Sequence, residues 1–189
     1  VRDQMNVLHL STSDIGGGAA IAAYRLHDGL RRSGVGSKVA VLYKASDDAD
    51  VTVVGPGQAF WPRALRRLDH ERLRVGAWRE GRRPTGPFSD DRVPGADPLG
   101  SDVFAADVLN LHWVAGLVDY RRFFPRVPAG KPFVWTLHDM APFTGGCHYA
   151  NSCARHEARC GACPVLGSTD EHDATRRSHD RRAAALGGL

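Results

Sequence analysis

The chain has 189 residues, of which 42% are hydrophobic and 24% charged, and this balance is typical of a folded domain with its own core. A net charge of +4, with a pI near 9.1, is too modest to indicate nucleic-acid binding by itself. No apolar run approaches the roughly 20 residues that span a bilayer, and the start does not have the pattern of a signal peptide. These features predict a cytoplasmic protein.

The N-terminal residues alternate between strand-like and helix-like segments. Buried strands are predicted over residues 5–11, 37–43 and 51–54. Between the first two, residues 19–32 have the composition of a helix, with Ile21, Leu26 and Leu30 as core-facing candidates. A strand–helix–strand order with short connections is typical of a parallel, doubly wound sheet. The predicted fold class is therefore α/β with a Rossmann-like parallel sheet.

Three consecutive glycines, Gly16, Gly17 and Gly18, join the first strand to this helix. A helix N-terminus exposed by glycines can bind phosphate through its backbone N–H groups, but glycines also simply allow a tight turn, and both interpretations stay open. The dinucleotide fingerprint fits poorly, because Ile21 stands at its third glycine position and Lys44 stands where an acidic residue would hold a ribose. We therefore expect neither NAD nor FAD as a cofactor.

Residues 60–83 place aromatic and aliphatic side chains at near-helical spacing with arginines between them. Such a helix could lie on an anionic membrane surface, or it could be an ordinary amphipathic helix with a solvated basic face. No recognisable nucleic-acid module accompanies the basic patch, so nucleic acid is not an expected partner. The Gly-, Pro-, Asp- and Arg-rich residues 81–100 predict a long surface loop.

Two later strands end in polar side chains. These strands are predicted over residues 107–112 and 132–137, the second as a buried strand. The first ends in His112, followed by Trp113, and the second is followed by His138 and Asp139. The carboxyl ends of parallel strands meet at the edge where α/β sheets bind ligands, and an imidazole there can act as a general base. Each histidine could equally make a structural hydrogen bond, which is the usual role of a single buried histidine.

A glycine-rich loop follows with Thr144, Gly145 and Gly146, which we take as candidate substrate-binding residues. Helices are predicted over residues 117–124 and, as an exposed polar helix, over 170–187.

All four cysteines fall within 17 residues, in the Cys-rich segment 145–168. They are Cys147, Cys153, Cys160 and Cys163. The last two form a C-x-x-C pair, the spacing of a zinc knuckle, and clustered cysteines in a cytosolic chain indicate metal more than disulfides. We expect a structural zinc ion held by all four thiolates, with reduced thiols or one redox-labile pair as the alternative.

Several of these phrases together resemble a known family. They are IGGGAAIAAYRLHDGLRRSG, VLNLHWV and TLHDMAPFTGGCHYANSC with the later CGACPVLGS. The resemblance is to the N-terminal part of family 4 glycosyltransferases, in the colanic-acid or exopolysaccharide branch. It covers residues 5–180 and is most specific over 132–167, where Ala141 replaces the usual tryptophan.

The resemblance implies a GT-B fold, in which two Rossmann-like domains face each other across a cleft. It implies retaining, metal-independent transfer of a sugar from a nucleotide-sugar to a saccharide or lipid-linked acceptor. By matching position, Gly16 and Gly17 would approach the donor phosphates, and His138 would lie at the reacting sugar. From their place in the sequence rather than from the resemblance, Asp139 is a second catalytic candidate, and Gly18, His112, Trp113 and the Thr144–Gly146 loop are further substrate-binding candidates.

The length leads to a further expectation. Residues 5–189 would form the N-terminal domain alone, without the C-terminal domain that holds the nucleotide-sugar donor in this family. Efficient transfer would then need a second chain or a continuation of the same one, because closure of two domains completes such a site. The alternative is a non-catalytic, zinc-stapled α/β module that binds a carbohydrate or a protein partner.

Overall fold

A computed structural model describes residues 4–54, 85–93, 103 and 105–187. The helix predicted over 60–83 lies outside these residues, as does most of the loop predicted over 81–100. The described residues fall into two units. The first comprises residues up to 54, those between 103 and 118, and 126–138; the second comprises 85–93, 119–125 and 139–187.

The first unit contains one five-stranded sheet. Its strands are β1 (Asn6–Ser13), β2 (Gly36–Tyr43), β3 (Val51–Val53), β4 (Val108–Leu111) and β5 (Phe133–Trp135). All neighbouring pairs are parallel, and the spatial order is β3-β2-β1-β4-β5. The prediction of an α/β, Rossmann-like fold is confirmed. The strand order reverses between β1 and β4, which is where sheets of this kind open a ligand-binding crevice.

Helix α1 (Gly18–Arg32) contacts β1 and β2, as predicted, but through different side chains. Its buried residues are Ala20, Ala23 and His27, which share one helical face by their spacing of three and four. Ile21 and Leu26 are 39% and 41% exposed, so the prediction that they face the core was wrong. Two alanines let the helix backbone come close to the strands, and the larger aliphatic side chains are left on the outer face.

Strand β5 is an edge strand among the described residues, because it pairs only with β4. Val134 and Leu137 are each 49% exposed. The prediction of a strand here is confirmed, and the prediction that it is buried was wrong. Its apolar composition alone could not distinguish a central strand from an edge strand, since that depends on the order of the strands in the sheet.

The second unit is mostly irregular, with helix α2 (Tyr120–Phe123) and helix α3 (Ala174–Leu186). Short 3-10 turns cover Ala141–Phe143 and Arg155–Glu157, and another, Phe124–Arg126, follows α2. Helix α3 was predicted to be exposed, but it buries a polar face of Thr175, Ser178 and Arg182. Within residues 85–93, part of the predicted surface loop, Asp91 and Val93 are buried as well.

Across the described residues, no helix has the length and the apolar character needed to cross a membrane.

Candidate active site

The sheet register places several polar side chains on one face of the first unit. His9 in β1 lies opposite Val39 of β2 and Asn110 of β4. Residues in register on parallel strands point to the same side, and so do residues two apart in one strand. Ser37 and His112, each two residues from one of these partners, therefore share the face of His9. Helix α1 adds His27 to this face.

These side chains form a continuous row of contacts, which we call the histidine line. Its members, in spatial order, are His27, Ser37, His9, His112 and His138. The successive distances are 2.8 Å from His27 Nδ1 to Ser37 Oγ, 3.2 Å from Ser37 Oγ to His9 Nε2, 3.3 Å from His9 Nδ1 to His112 Nε2, and 3.1 Å from His112 Nδ1 to His138 Nε2. The rings of His112 and His138 also stack, with their centroids 5.4 Å apart.

The inner histidines are held neutral by their surroundings. His9 and His27 have no exposed surface, and His112 is 2% exposed. Burial lowers the pKa of His9 to about 3, and the neighbouring His112 and His27 rings add to the effect. Burial likewise lowers the pKa of His112 to about 4, with His138 contributing. His138 is half-buried, so this buried neutral row ends in a ring that is partly open to solvent.

Three neighbouring residues hold the middle of the histidine line in place. The Asn110 amide nitrogen lies 3.3 Å from His9 Nδ1, and the Asn110 amide oxygen accepts a hydrogen bond from the Thr136 hydroxyl at 3.2 Å. The Trp135 indole donates to the backbone oxygen of His112 at 3.1 Å. These contacts come from β4 and from the β5 segment, so the pairing of those two strands orients the rings.

A carboxylate lies at the other end of the histidine line. His27 Nε2 is 3.5 Å from Asp48 Oδ2, a longer contact than an ordinary hydrogen bond. Asp48 also accepts from the Tyr24 hydroxyl at 3.0 Å and pairs with Arg31 at 3.1 Å. Burial alone would raise the pKa of Asp48, but hydrogen bonds from Asp50 N–H and Tyr24, with the Arg31 charge, lower it. Asp48 is therefore a carboxylate at neutral pH.

The glycine turn at the carboxyl end of β1 has two conformational requirements. A Cβ on Gly16 would lie 2.6 Å from Ser13 Oγ, and Gly17 has φ of 100°, which other residues rarely adopt. Gly17 is the N-cap of α1, and no side chain caps this helix end. A Cβ on Gly18 would meet nothing within 4 Å. The turn therefore requires a glycine at position 17, a side chain at position 16 would displace the Ser13 hydroxyl, and the α1 N-terminus has no side-chain cap.

Asp14, just before this turn, is fully buried and was not recognised from the sequence. Its carboxylate accepts N–H groups from Ile15, Ala45 and Ser46 at 2.8–3.1 Å. Burial alone would raise the pKa of Asp14, but these hydrogen bonds outweigh it and lower the pKa. Asp14 thus ties the loop after β2 to the loop after β1 at the sheet edge.

The Asp139 carboxylate pairs with His148. It belongs to the second unit, where Asp139 Oδ2 lies 2.6 Å from His148 Nδ1 and His148 Nε2 lies 2.6 Å from Ser89 Oγ. The order of carboxylate, imidazole and hydroxyl is that of a nucleophilic triad. The backbone groups of His148 also bond to Pro87 and Met140, so the three side chains tie together three loop segments. We read the arrangement as a structural tether.

The predicted substrate-binding residues fall into two groups. Gly16, Gly17, Gly18, His112 and Trp113 lie at the carboxyl edge of the sheet in the first unit, and Trp113 is 36% exposed. Thr144, Gly145 and Gly146 lie in the second unit. Thr144 has no exposed surface, and its hydroxyl bonds to Cys147 O at 2.7 Å. A Cβ on Gly145 would meet Thr175 O at 2.3 Å, so close packing accounts for that glycine.

The four cysteines line one small cavity in the second unit, of about 20 Å³, which is room for one water or ion. All four are free thiols. Cys160 Sγ accepts a hydrogen bond from Gly145 N–H at 3.1 Å, and the N–H groups of Leu166 and Val165 donate towards Cys163. Burial, with a smaller contribution from the other three thiols, raises the pKa of Cys160 to about 11. Within the described residues, no three His, Cys, Asp or Glu side chains already stand in metal-holding geometry.

His9, His27 and Ser37 were the members of the histidine line that sequence reasoning missed. A signal was present, since His9 and Ser37 interrupt apolar strands at the positions that point inward, and His27 lies one α1 turn beyond buried Ala23. Polar residues on an inward-facing register usually have partners nearby. Identifying the partners of these three residues required the order of the strands in the sheet.

Comparison with known proteins gives one informative similarity. No protein-family model matches the chain, and no solved structure is significantly similar to it. Over 170 residues the chain is 26% identical to a protein of Escherichia coli (strain K12) that is named, provisionally, as the colanic acid biosynthesis glycosyl transferase WcaC. This similarity supports a relationship with glycosyltransferases in general. It covers 87% of this chain and 40% of WcaC, so the chain spans less than half the length of that relative.

Proposed function

We propose that the chain is the N-terminal, acceptor-side part of a retaining glycosyltransferase. It would move a sugar from a nucleotide-sugar to a polysaccharide or lipid-linked precursor. The observation that carries this proposal is the contact between His112 and His138, 3.1 Å apart at the carboxyl ends of adjacent strands, at the sheet edge where the strand order reverses beside β1. The similarity to WcaC, whose name describes a glycosyl transferase of colanic acid biosynthesis, supports the reaction class.

Two parts of this edge have roles in the proposal. The N-terminus of α1, exposed by Gly17 and free of a side-chain cap, offers backbone N–H groups to a donor phosphate. His138 is a polar contact for the donor sugar, where its ring stabilises charge that develops as the glycosidic bond breaks. His112 lies behind it, too buried to reach a substrate directly, and orients the ring of His138.

The test is His138→Ala in a complete, active enzyme in which this domain acts together with a donor-binding domain, assayed with UDP- and GDP-sugars and a saccharide acceptor. We expect kcat to fall on the order of 10²-fold or more, because a group acting at the transition state is lost. His172→Ala, at an exposed histidine, is the matched control and should keep the wild-type kcat. Unchanged transfer in the His138→Ala enzyme would contradict the catalytic role.

A second candidate function is a non-catalytic, zinc-stapled module that binds a carbohydrate or a protein partner. The observation that favours zinc is the convergence of all four cysteines on one cavity, with backbone N–H groups directed at two of the sulfurs. Such N–H donors stabilise thiolates, which are the form that binds zinc. The sulfurs would have to turn further into the cavity to reach tetrahedral geometry. Four thiolates would fill the coordination shell, so the metal would have a structural role.

Elemental analysis of protein purified without chelator tests the zinc proposal. We expect about one zinc per chain, loss of that metal in Cys160→Ser, and retention in Ser152→Ala, a control located between the cysteines. A chelator should also lower the midpoint of thermal unfolding, because metal binding contributes to folding. Less than about a tenth of an equivalent of zinc, with four reactive thiols in the native protein, would rule the site out.

A further inference from the structure

The histidine line buries three imidazoles and a hydroxyl on a sheet face that aliphatic side chains could fill. A polar side chain in such a place costs stability unless it is hydrogen-bonded, so each group here must find a donor or acceptor that suits it. A neutral imidazole has one N–H donor and one acceptor nitrogen. If its proton moves to the other nitrogen, the groups bonded to both nitrogens must exchange their donor and acceptor roles as well. The direction of one hydrogen bond therefore determines the direction of the next.

Asn110 sets that direction in the middle of the line. Its amide oxygen accepts from the Thr136 hydroxyl, which leaves the amide nitrogen, a donor only, 3.3 Å from His9 Nδ1. His9 Nδ1 must then be the acceptor nitrogen of its ring. The proton of neutral His9 is consequently on Nε2, where it is donated to Ser37 Oγ at 3.2 Å.

The same rule fixes the two rings on the other side. His112 Nε2 also lies 3.3 Å from the acceptor Nδ1 of His9, so this contact is a hydrogen bond only if His112 Nε2 carries a proton and shares the lone pair of His9 Nδ1 with the Asn110 N–H. His112 Nδ1 is then an acceptor, and it lies 3.1 Å from His138 Nε2. The contact is a hydrogen bond only if His138 donates.

We propose that the histidine line fixes His138 as the tautomer with its proton on Nε2, and so leaves Nδ1 as the nitrogen that accepts a hydrogen bond from a hydroxyl group of a bound sugar. Asn110, His9 and His112 are positioning residues in this scheme. The tautomer follows from the contacts alone, whereas its use on a sugar hydroxyl rests on the proposed function.

The far end of the line adds to the effect. The Ser37 hydroxyl, having accepted from His9, donates to His27 Nδ1 at 2.8 Å, and the remaining His27 N–H faces the Asp48 carboxylate at 3.5 Å. Every N–H and O–H bond in the row therefore points towards a negative charge. Bonds aligned in this way polarise one another, which strengthens the electron density at the last acceptor, His138 Nδ1.

Long-range ¹H–¹⁵N correlation spectra of the histidine-labelled chain would read each tautomer directly, with assignment by single substitutions among the nine histidines. At pH 7.5 we expect His9, His112 and His138 to be in the Nε2–H form. Asn110→Leu combined with Ser37→Ala should remove both groups that fix the tautomer of His9, so that His138 shows averaged signals of both tautomers. Each single substitution should leave His138 unchanged, because either Asn110 or the Ser37–His27–Asp48 end still fixes His9. Lys38→Ala, next to Ser37 but on the opposite, exposed side, is the matched control.

The wild-type spectrum alone can overturn the proposal, so the outcome does not depend on any variant folding. In the wild type, a His138 proton on Nδ1, or a mixture of both tautomers, would contradict the hydrogen-bond directions proposed for the histidine line. Persistence of a single His138 tautomer in a folded Asn110→Leu/Ser37→Ala double variant would also refute it. If the wild-type tautomers are as expected but His138→Ala transfers sugar normally, the proposed function fails and the hydrogen-bond direction stands.

Discussion

At the scale of the residue, His9 shows how a single buried side chain links stability to pH. Burial holds its folded-state pKa near 3, and that of His112 near 4, whereas an imidazole in an unfolded chain titrates near 6.5. Between these values the unfolded chain binds more protons than the folded one. The stabilising contribution is therefore complete above about pH 6.5 and is lost as the pH falls towards 4 and then 3.

We expect the urea midpoint of the wild-type chain to fall steadily from pH 7 to pH 5, a window in which carboxylates stay ionised. Each of the two rings adds a slope of about 1.4 kcal/mol per pH unit to the free energy of unfolding once the unfolded ring is protonated. His9→Gln should lose about half of the slope that the two rings contribute together. His172→Gln controls for the removal of an imidazole at an exposed position. An equally steep pH slope in His9→Gln would refute this account.

At the scale of the element, helix α3 is attached to its unit through polar contacts where an amphipathic helix would use apolar ones. Asp91 has no exposed surface and bonds to the Arg181 guanidinium at 2.7 Å and to the Ser178 hydroxyl at 2.9 Å. Burial would raise the pKa of Asp91, but the hydrogen bonds from Arg181 lower it to about 2. Arg182 crosses the ring of Tyr120 at 5.1 Å and donates to Ser89 O at 2.7 Å.

Asp91→Ala should therefore loosen α3 strongly. Removing one partner of a buried ion pair costs about 3 kcal/mol or more, because the remaining charge loses its compensation. Chemical denaturation measures the loss, and limited proteolysis should cut α3 sooner. Asp180→Ala is the control on the same helix, since its pair with Arg159 is exposed and should contribute little. If the two variants unfold at the same denaturant concentration, α3 is not held through Asp91.

At the scale of the whole molecule, the sequence predicted the sheet better than it predicted what the sheet buries. Strand and helix positions near residues 6–53 followed from apolar runs and a glycine turn, since these signals are local. The placement of His112 and His138 at the same edge of the sheet followed from the rule that parallel strands end at one edge, whereas their direct contact required the strand order. The burial of α1 through Ala20 and Ala23 could not be predicted, because periodicity does not say how close a helix lies to its sheet.

Side-chain partners were the least predictable feature. Asp139 follows His138 directly in the sequence, yet its carboxylate lies 2.6 Å from His148 Nδ1, a partner that adjacency in the sequence does not indicate. The buried polar face of α3 and the role of Asp14 also depend on contacts between residues far apart in sequence. A pattern of charges shows that partners are needed, and the fold decides which ones they are.

The histidine line also bears on how this chain can change by mutation. Its five members come from α1, β1, β2 and the ends of β4 and β5, so no single segment can be exchanged without disturbing the others. Replacing one member by an apolar residue leaves its neighbours unpaired, and a second replacement then costs less than it would alone. An apolar version of this face can therefore be as stable as the polar one, while the intermediates that lead to it one substitution at a time are less stable than either. We therefore expect few accepted substitutions at these five positions, because each single change lowers stability before a second change can restore it.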